Sequence, residues 1–163
     1  MKVLVVYDSQ FGNTEKVARA IGEAFESPDE VEVKRISEVN PKSLAGYDLL
    51  IVGSPTQRLR PTEAAGKWLK QIPANGLKGL PVAAFDTRLT DEEIEKVRIL
   101  KFVVGIWGYA ADPIAKELKK KGGTLSVPPE GFYVTGTEGP LVDGELERAR
   151  AWMERQKRPN GSR

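Results

Sequence analysis

Apolar residues in this chain come in short runs separated by amphipathic stretches. Residues 3–6 (Val-Leu-Val-Val), 49–52 (Leu-Leu-Ile-Val) and 82–85 (Val-Ala-Ala-Phe) are apolar throughout. Runs of that kind are strands buried on both faces of a parallel sheet. They predict a first strand over 2–7, a third over 49–53 and a fourth over 81–85. Residues 31–36 instead alternate, which predicts an edge strand with one exposed side. Between the strands the period lengthens. Val17, Ala18, Ile21, Ala24 and Phe25 recur at helical spacing over 13–26, and Ser27-Pro28-Asp29 ends that helix. Residues 41–44 suggest a short helical turn. A second helix over 62–71 turns Trp68 and Leu69 inward, and a third over 110–121 turns in Ile114, Ala115 and Leu118 before Gly122-Gly123 stops it. Thr124 opens a fifth strand that Pro128-Pro129 interrupts and Phe132-Tyr133-Val134 resumes. A closing helix over 144–156 offers Leu146, Ala149, Ala151, Trp152 and Met153 for packing. Residues 90–93 have the form of a helix cap with an acidic first turn. The span 89–107 is open to three readings: a helix, a lid, or a contact surface for another subunit.

Five strands alternating with helices predict an α/β three-layer sandwich with a five-stranded parallel sheet. Right-handed crossovers leave few topologies, and the order expected here is 2-1-3-4-5. The domain is expected over 1–156, followed by a polar tail at 157–163. In such a sheet ligands sit beyond the carboxyl ends of the strands, at the switch point between strands one and three. Composition narrows the chemistry. With no Cys, disulfides, thiol catalysis and thiolate metal sites are excluded, and with no His the commonest general base and metal ligand are missing. Redox chemistry would have to come from a bound organic cofactor. The net charge is +2 with lysines and arginines spread along the chain, and no basic run is interleaved with aromatics, which argues against nucleic acid. No apolar run is long enough to span a membrane. Strand residues begin at position 3, leaving no room for a signal peptide, so a cytoplasmic location is expected.

The first strand runs into Ser9-Gln10-Phe11-Gly12-Asn13-Thr14, and a helical pattern follows at once. A helix start leaves N–H groups unpaired at the positive end of its dipole, and Gly12 allows close approach of the backbone, so this stretch is a candidate anion site. It carries neither G-x-G-x-x-G nor G-x-x-x-x-G-K-[ST]. A response-regulator reading would need clustered acidic residues where only Asp8 stands. The third and fourth strands also end in polar residues, over 53–60 and 86–88, and the proposed order brings all three stretches to one edge.

Ser-x-x-Gly-Asn-Thr after the first strand resembles the phosphate loop of flavodoxins. YDSQFGNTEKVA, IVGSPT and FYVTGTEGPL extend that resemblance over nearly the whole chain, the last of them resembling short flavodoxin-like proteins of bacteria and archaea. The resemblance implies a flavodoxin-like fold and FMN as cofactor. Ser9, Gln10, Phe11, Gly12, Asn13 and Thr14 would then hold the FMN phosphate. Pro55, Thr56, Gln57, Arg58 and Leu59 would flank the isoalloxazine ring, and Asp86, Thr87 and Arg88 would form the other wall at its pyrimidine end. Three departures stand out. No aromatic occurs in the second or third stretch, although Trp107 or Tyr109 could supply one if the segment before Gly108 folded back. The chain has a pI of about 8.8, where flavodoxins tend to be acidic. Arg58, Arg60 and Arg88 near an anionic reduced flavin would raise its reduction potential. The expected function is an FMN-binding redox protein serving a redox partner protein or a small electron acceptor, as a monomer or weak homo-oligomer. An FMN-dependent NAD(P)H:quinone-type oxidoreductase is a second reading, and a flavodoxin-like binding module without redox activity is a third.

Overall fold

The computed structural model of the protein describes residues 1–57, 60–90 and 109–154. The strands are β1 (Lys2–Tyr7), β2 (Glu30–Arg35), β3 (Leu49–Pro55), β4 (Pro81–Leu89), β5 (Thr124–Leu125) and β6 (Glu130–Val134). The helices are α1 (Asn13–Glu23), α2 (Glu63–Lys70), α3 (Ala111–Lys120) and α4 (Glu145–Glu154). All strand pairs are parallel, in the order β2-β1-β3-β4-β5, with β6 also paired to β4. β5 and β6 are the two halves of the interrupted fifth strand, so the expected order 2-1-3-4-5 is the one observed.

The sheet is covered on both faces. Val3, Val5, Ile51 and Phe85 point toward α1 and α4, where Val17, Ile21, Ala149 and Met153 meet them. Leu4, Val6, Leu50 and Val52 point toward α2 and α3, where Trp68, Leu69, Ile114 and Leu118 close the second core. Neighbouring residues of one strand thus serve opposite cores, which is why these runs show no polar alternation. The Trp68 indole N–H donates to the Val39 carbonyl at 2.9 Å.

Several boundaries differ from expectation. α1 stops at Glu23, before Ser27-Pro28. A one-turn 3-10 helix forms at Ile36–Glu38, while 41–44 holds only a turn in which Ser43 N–H donates to Asn40. Ala151 is exposed rather than packed, because α4 buries Ala149 and Met153 four residues apart and leaves 151 on the outer side. β4 continues four residues past Phe85, because β6 pairs with it from Phe85↔Glu130 to Leu89↔Val134. Asp86, Thr87 and Arg88 are therefore strand residues, not a loop. The span 91–107, with Trp107, and the tail at 157–163 lie outside the described residues.

Candidate functional site

β1 delivers the chain to a tight loop that starts α1 at Asn13. Gly12 is the N-cap, with φ of 93°, a left-handed conformation that favours glycine. No side chain caps the helix. The loop's polar groups shape the loop instead. Ser9 Oγ accepts from Gly12 N–H at 3.1 Å, Asn13 Nδ2 donates to the Glu138 carbonyl at 3.1 Å, and Thr14 Oγ1 shares a hydrogen bond with Thr87 Oγ1 at 2.8 Å. Among the described residues nothing accepts the first-turn N–H groups of Asn13, Thr14 and Glu15. The Glu15 carboxylate is engaged elsewhere, accepting from the Tyr7 hydroxyl at 2.8 Å and from Arg19 at 3.0 Å. Those bonds, Tyr7's first, hold its pKa below the usual carboxylate range.

The loop is braced from below. Arg35 at the end of β2 donates to the Ser9 carbonyl at 2.8 Å and stands 3.8 Å from Asp8 Oδ1. Asp8 also accepts from Ser9 N–H at 3.0 Å and from the Thr62 hydroxyl that caps α2.

The second wall follows β3. Thr56 N–H donates to the Thr87 carbonyl at 2.9 Å, and Thr56 Oγ1 accepts from Ala110 N–H at 3.2 Å. Gln57 and Arg60 exchange backbone hydrogen bonds of 2.8 and 2.9 Å. Arg58 and Leu59, expected beside them at the site, lie outside the described residues. Gln57 Nε2 donates to Gln10 Oε1, tying this wall to the first loop.

Between these walls lies a cleft of about 110 Å³. Of the residues expected at the site, Ser9, Gln10, Phe11, Asn13, Thr14, Pro55, Thr56, Gln57, Thr87 and Arg88 line it. Gly12 and Asp86 do not. Asp86 is fully buried on the face of β4 turned away from Thr87, toward the start of α3, where Arg88 Nε and Nη2 reach its carboxylate at 2.7 and 2.6 Å and Ala111 N–H donates to it at 2.9 Å. Burial pushes the Asp86 carboxyl above its ordinary range, against the pull of Arg88 and Ala111. Arg88 spends its charge on Asp86, so it adds little positive field to the cleft, and its guanidinium lies 3.7 Å from the centre of the Tyr109 ring. Tyr109 is thus engaged with Arg88 and is not among the residues lining the cleft.

Leu89, Val134 and Thr137 also line the cleft and were not expected there. The last two come from the end of β6, which shares β4's carboxyl edge. The signal was present in the Gly-rich FYVTGTEGPL segment: a Cβ at Gly139 would stand 2.6 Å from Asn13 Nδ2, so glycine permits that contact. Phe11, 47% exposed, is the aromatic the described cleft presents, and it comes from the first loop rather than the second or third.

A family model described as Flavodoxin matches residues 5–152. A flavodoxin of Clostridium saccharobutylicum is 33% identical over 89 residues, covering 53% of this chain and 56% of that protein. The chain spans between about a third and about half the length of the curated flavodoxins it matches. An NAD(P)H dehydrogenase (quinone) of a Bradyrhizobium species is 26% identical over 181 residues, covering 92% of this chain and 91% of that one. Among solved structures, a flavodoxin from the domain Archaea superposes with a TM-score of 0.71 at 23% identity, covering 96% of both chains, a likeness of fold.

Proposed function

The chain belongs to the flavodoxin family, whose members bind FMN, and from that premise we propose that it is an electron-transfer protein with the FMN phosphate at the first turn of α1. The observation that carries this is the uncapped helix start: a left-handed glycine N-cap, and first-turn N–H groups with no acceptor among the described residues, beside the Thr14 and Thr87 hydroxyls. These groups fit a dianionic phosphate, which a helix N-terminus favours through both its free donors and its dipole. Pro55, Thr56 and Gln57, with Arg58 and Leu59, are assigned to one side of the ring, and Thr87, Arg88, Leu89 and Val134 to the other. FMN, when bound, supplies the redox chemistry, and the protein supplies binding, orientation and exclusion of water. On this reading it works in the cytoplasm, as a monomer or weak homo-oligomer, for a redox partner protein or a small acceptor.

Titration of the apo-protein with FMN and, in parallel, riboflavin tests the reading. Charge-assisted hydrogen bonds contribute about 1.5–3 kcal/mol each, so two or three of them to phosphate make FMN bind at least about a hundredfold tighter than riboflavin. Equal affinities would refute the phosphate assignment. The near full-length match to a quinone-reducing relative supports a second reading, an FMN-dependent NAD(P)H:quinone oxidoreductase. Steady oxidation of NAD(P)H by the loaded protein with a quinone acceptor would favour it over a pure carrier.

A further inference from the structure

Gln10 and Gln57 line the cleft and also a broad open groove along α2. Arg60, Glu63, Lys67, Lys70 and Pro113 line that groove as well, three cations against one carboxylate, all four exposed. α2 and α3 sit on one core, and Lys121 Nζ, just past α3, donates to the Lys70 carbonyl at 3.2 Å. Charge is divided unevenly between the two sides of the molecule. α2 and α3 carry five lysines against three acidic residues, with Arg60, Lys78 and Lys121 in the flanking loops, whereas α1 and α4 on the opposite side carry four lysines and arginines against five acidic residues. The chain's total is only +2. Lys67 pairs with Glu63 at 3.1 Å, but both are highly exposed, and such a pair contributes little. Arg60 and Lys70 make no ion pair among the described residues.

We propose that this basic side, along α2 and α3, is the docking surface for an acidic partner protein. The proposal rests on the flavin reading of the cleft and deepens it. Charge complementarity selects an acidic surface, and continuity with the cleft through Gln10 and Gln57 selects a redox protein. A partner lying in the groove brings its own redox centre to the mouth of the cleft, an adjacency that a membrane or a nucleic acid would not use. Among the described residues no aromatic lines the groove for base stacking.

The test titrates the full-length, FMN-loaded protein with an acidic iron–sulfur ferredoxin, with basic cytochrome c as the contrast. Affinity is read by calorimetry and the footprint by backbone NMR shifts. The ferredoxin is expected to bind at low salt with shifts confined to α2, α3, Gln57 and Arg60. The double variant Lys67→Glu/Lys70→Glu is expected to weaken it about tenfold or more, since steering by several charges spans that range. The difference should fade near about 1 M salt, where the Debye length is about 3 Å. Preference for cytochrome c, or a footprint on α1 and α4, overturns the proposal. So does tighter binding of a DNA oligonucleotide or anionic vesicles than of ferredoxin with the same sensitivity to the variant. Flavin fluorescence, recorded on both forms, reports FMN binding separately. Loss of FMN binding in the wild type defeats the flavin reading, whereas intact FMN binding with no ferredoxin contact defeats only the docking surface.

Discussion

Glu145 is buried at the start of α4 and ties that helix to β6. Its carboxylate accepts from Tyr133 N–H at 2.8 Å and from Arg148 Nε and Nη2 at 2.9 and 2.7 Å. Burial pushes its pKa up, but Arg148 and the Tyr133 N–H more than offset this, so it lies below the ordinary glutamate value. A carboxyl depressed in the folded state stabilises above its unfolded value, and the contribution is lost as pH falls through the depressed one. Glu145→Gln should therefore cost about 1–3 kcal/mol at neutral pH. Urea unfolding across pH should find a constant gap between wild type and variant down to the ordinary glutamate value of 4.5, closing below it. A gap that does not narrow at all below that value would assign the loss to shape instead of charge. At this scale the site was partly legible. Ser9, Asn13 and Thr14 were visible because polar residues and glycine cluster between a strand and a helix. The partnership of Asn13 with Glu138 spans 125 residues, and no local pattern reports it. Asp86 was read as part of the site's wall because a charged residue after an apolar run normally ends a strand, whereas pairing with Ser54 of β3 and with β6 carries the strand through it.

The elements themselves were legible wherever one local rule decided them. α1 and α2 followed from helical spacing, and β1, β3 and the first half of β4 from unbroken apolar runs. The missed half of β4 depends on a partner strand more than forty positions away, which hydropathy cannot register. β3 and β4 also interlock through Gly53, in a way that sets a sharp test. A Cβ at Gly53 would stand 2.0 Å from the Phe85 ring. That ring has little room to retreat, held edge-on by Phe132 and Trp152 at centroid separations of 6.2 and 6.3 Å. Gly53→Ala should destabilise by about 1–3 kcal/mol through overpacking. Gly53→Ala/Phe85→Leu should recover part of that loss beyond what the two single changes add up to. Strict additivity in chemical unfolding would refute the steric account. Gly12→Ala makes the contrast: nothing lies within 4 Å of its Cβ, so its cost comes from the left-handed backbone, about 1–2 kcal/mol.

At the scale of the molecule, the cleft joins elements that serve different cores. Thr14 belongs to α1, Thr87 to β4, Gln57 follows β3 and Thr137 follows β6, so a ligand bound among them holds the carboxyl edge of the sheet together. Binding there should raise the stability of the whole cooperative unit and not of one loop. At a free FMN concentration a hundredfold above its dissociation constant, mass action adds about 2.7 kcal/mol. For a chain of 163 residues that corresponds to a rise in Tm of roughly 5–11 °C. Riboflavin at the same concentration should give a clearly smaller rise, because it cannot engage the first turn of α1. Thr14→Val should shrink the FMN shift while leaving the riboflavin shift nearly unchanged, since the hydroxyl it removes sits at the phosphate end. Differential scanning calorimetry of the wild type and this variant with both ligands separates the phosphate and ring contributions in one experiment. Equal shifts from FMN and riboflavin in the wild type would mean that the ring walls alone anchor the cofactor, and that the uncapped helix start serves some other anion.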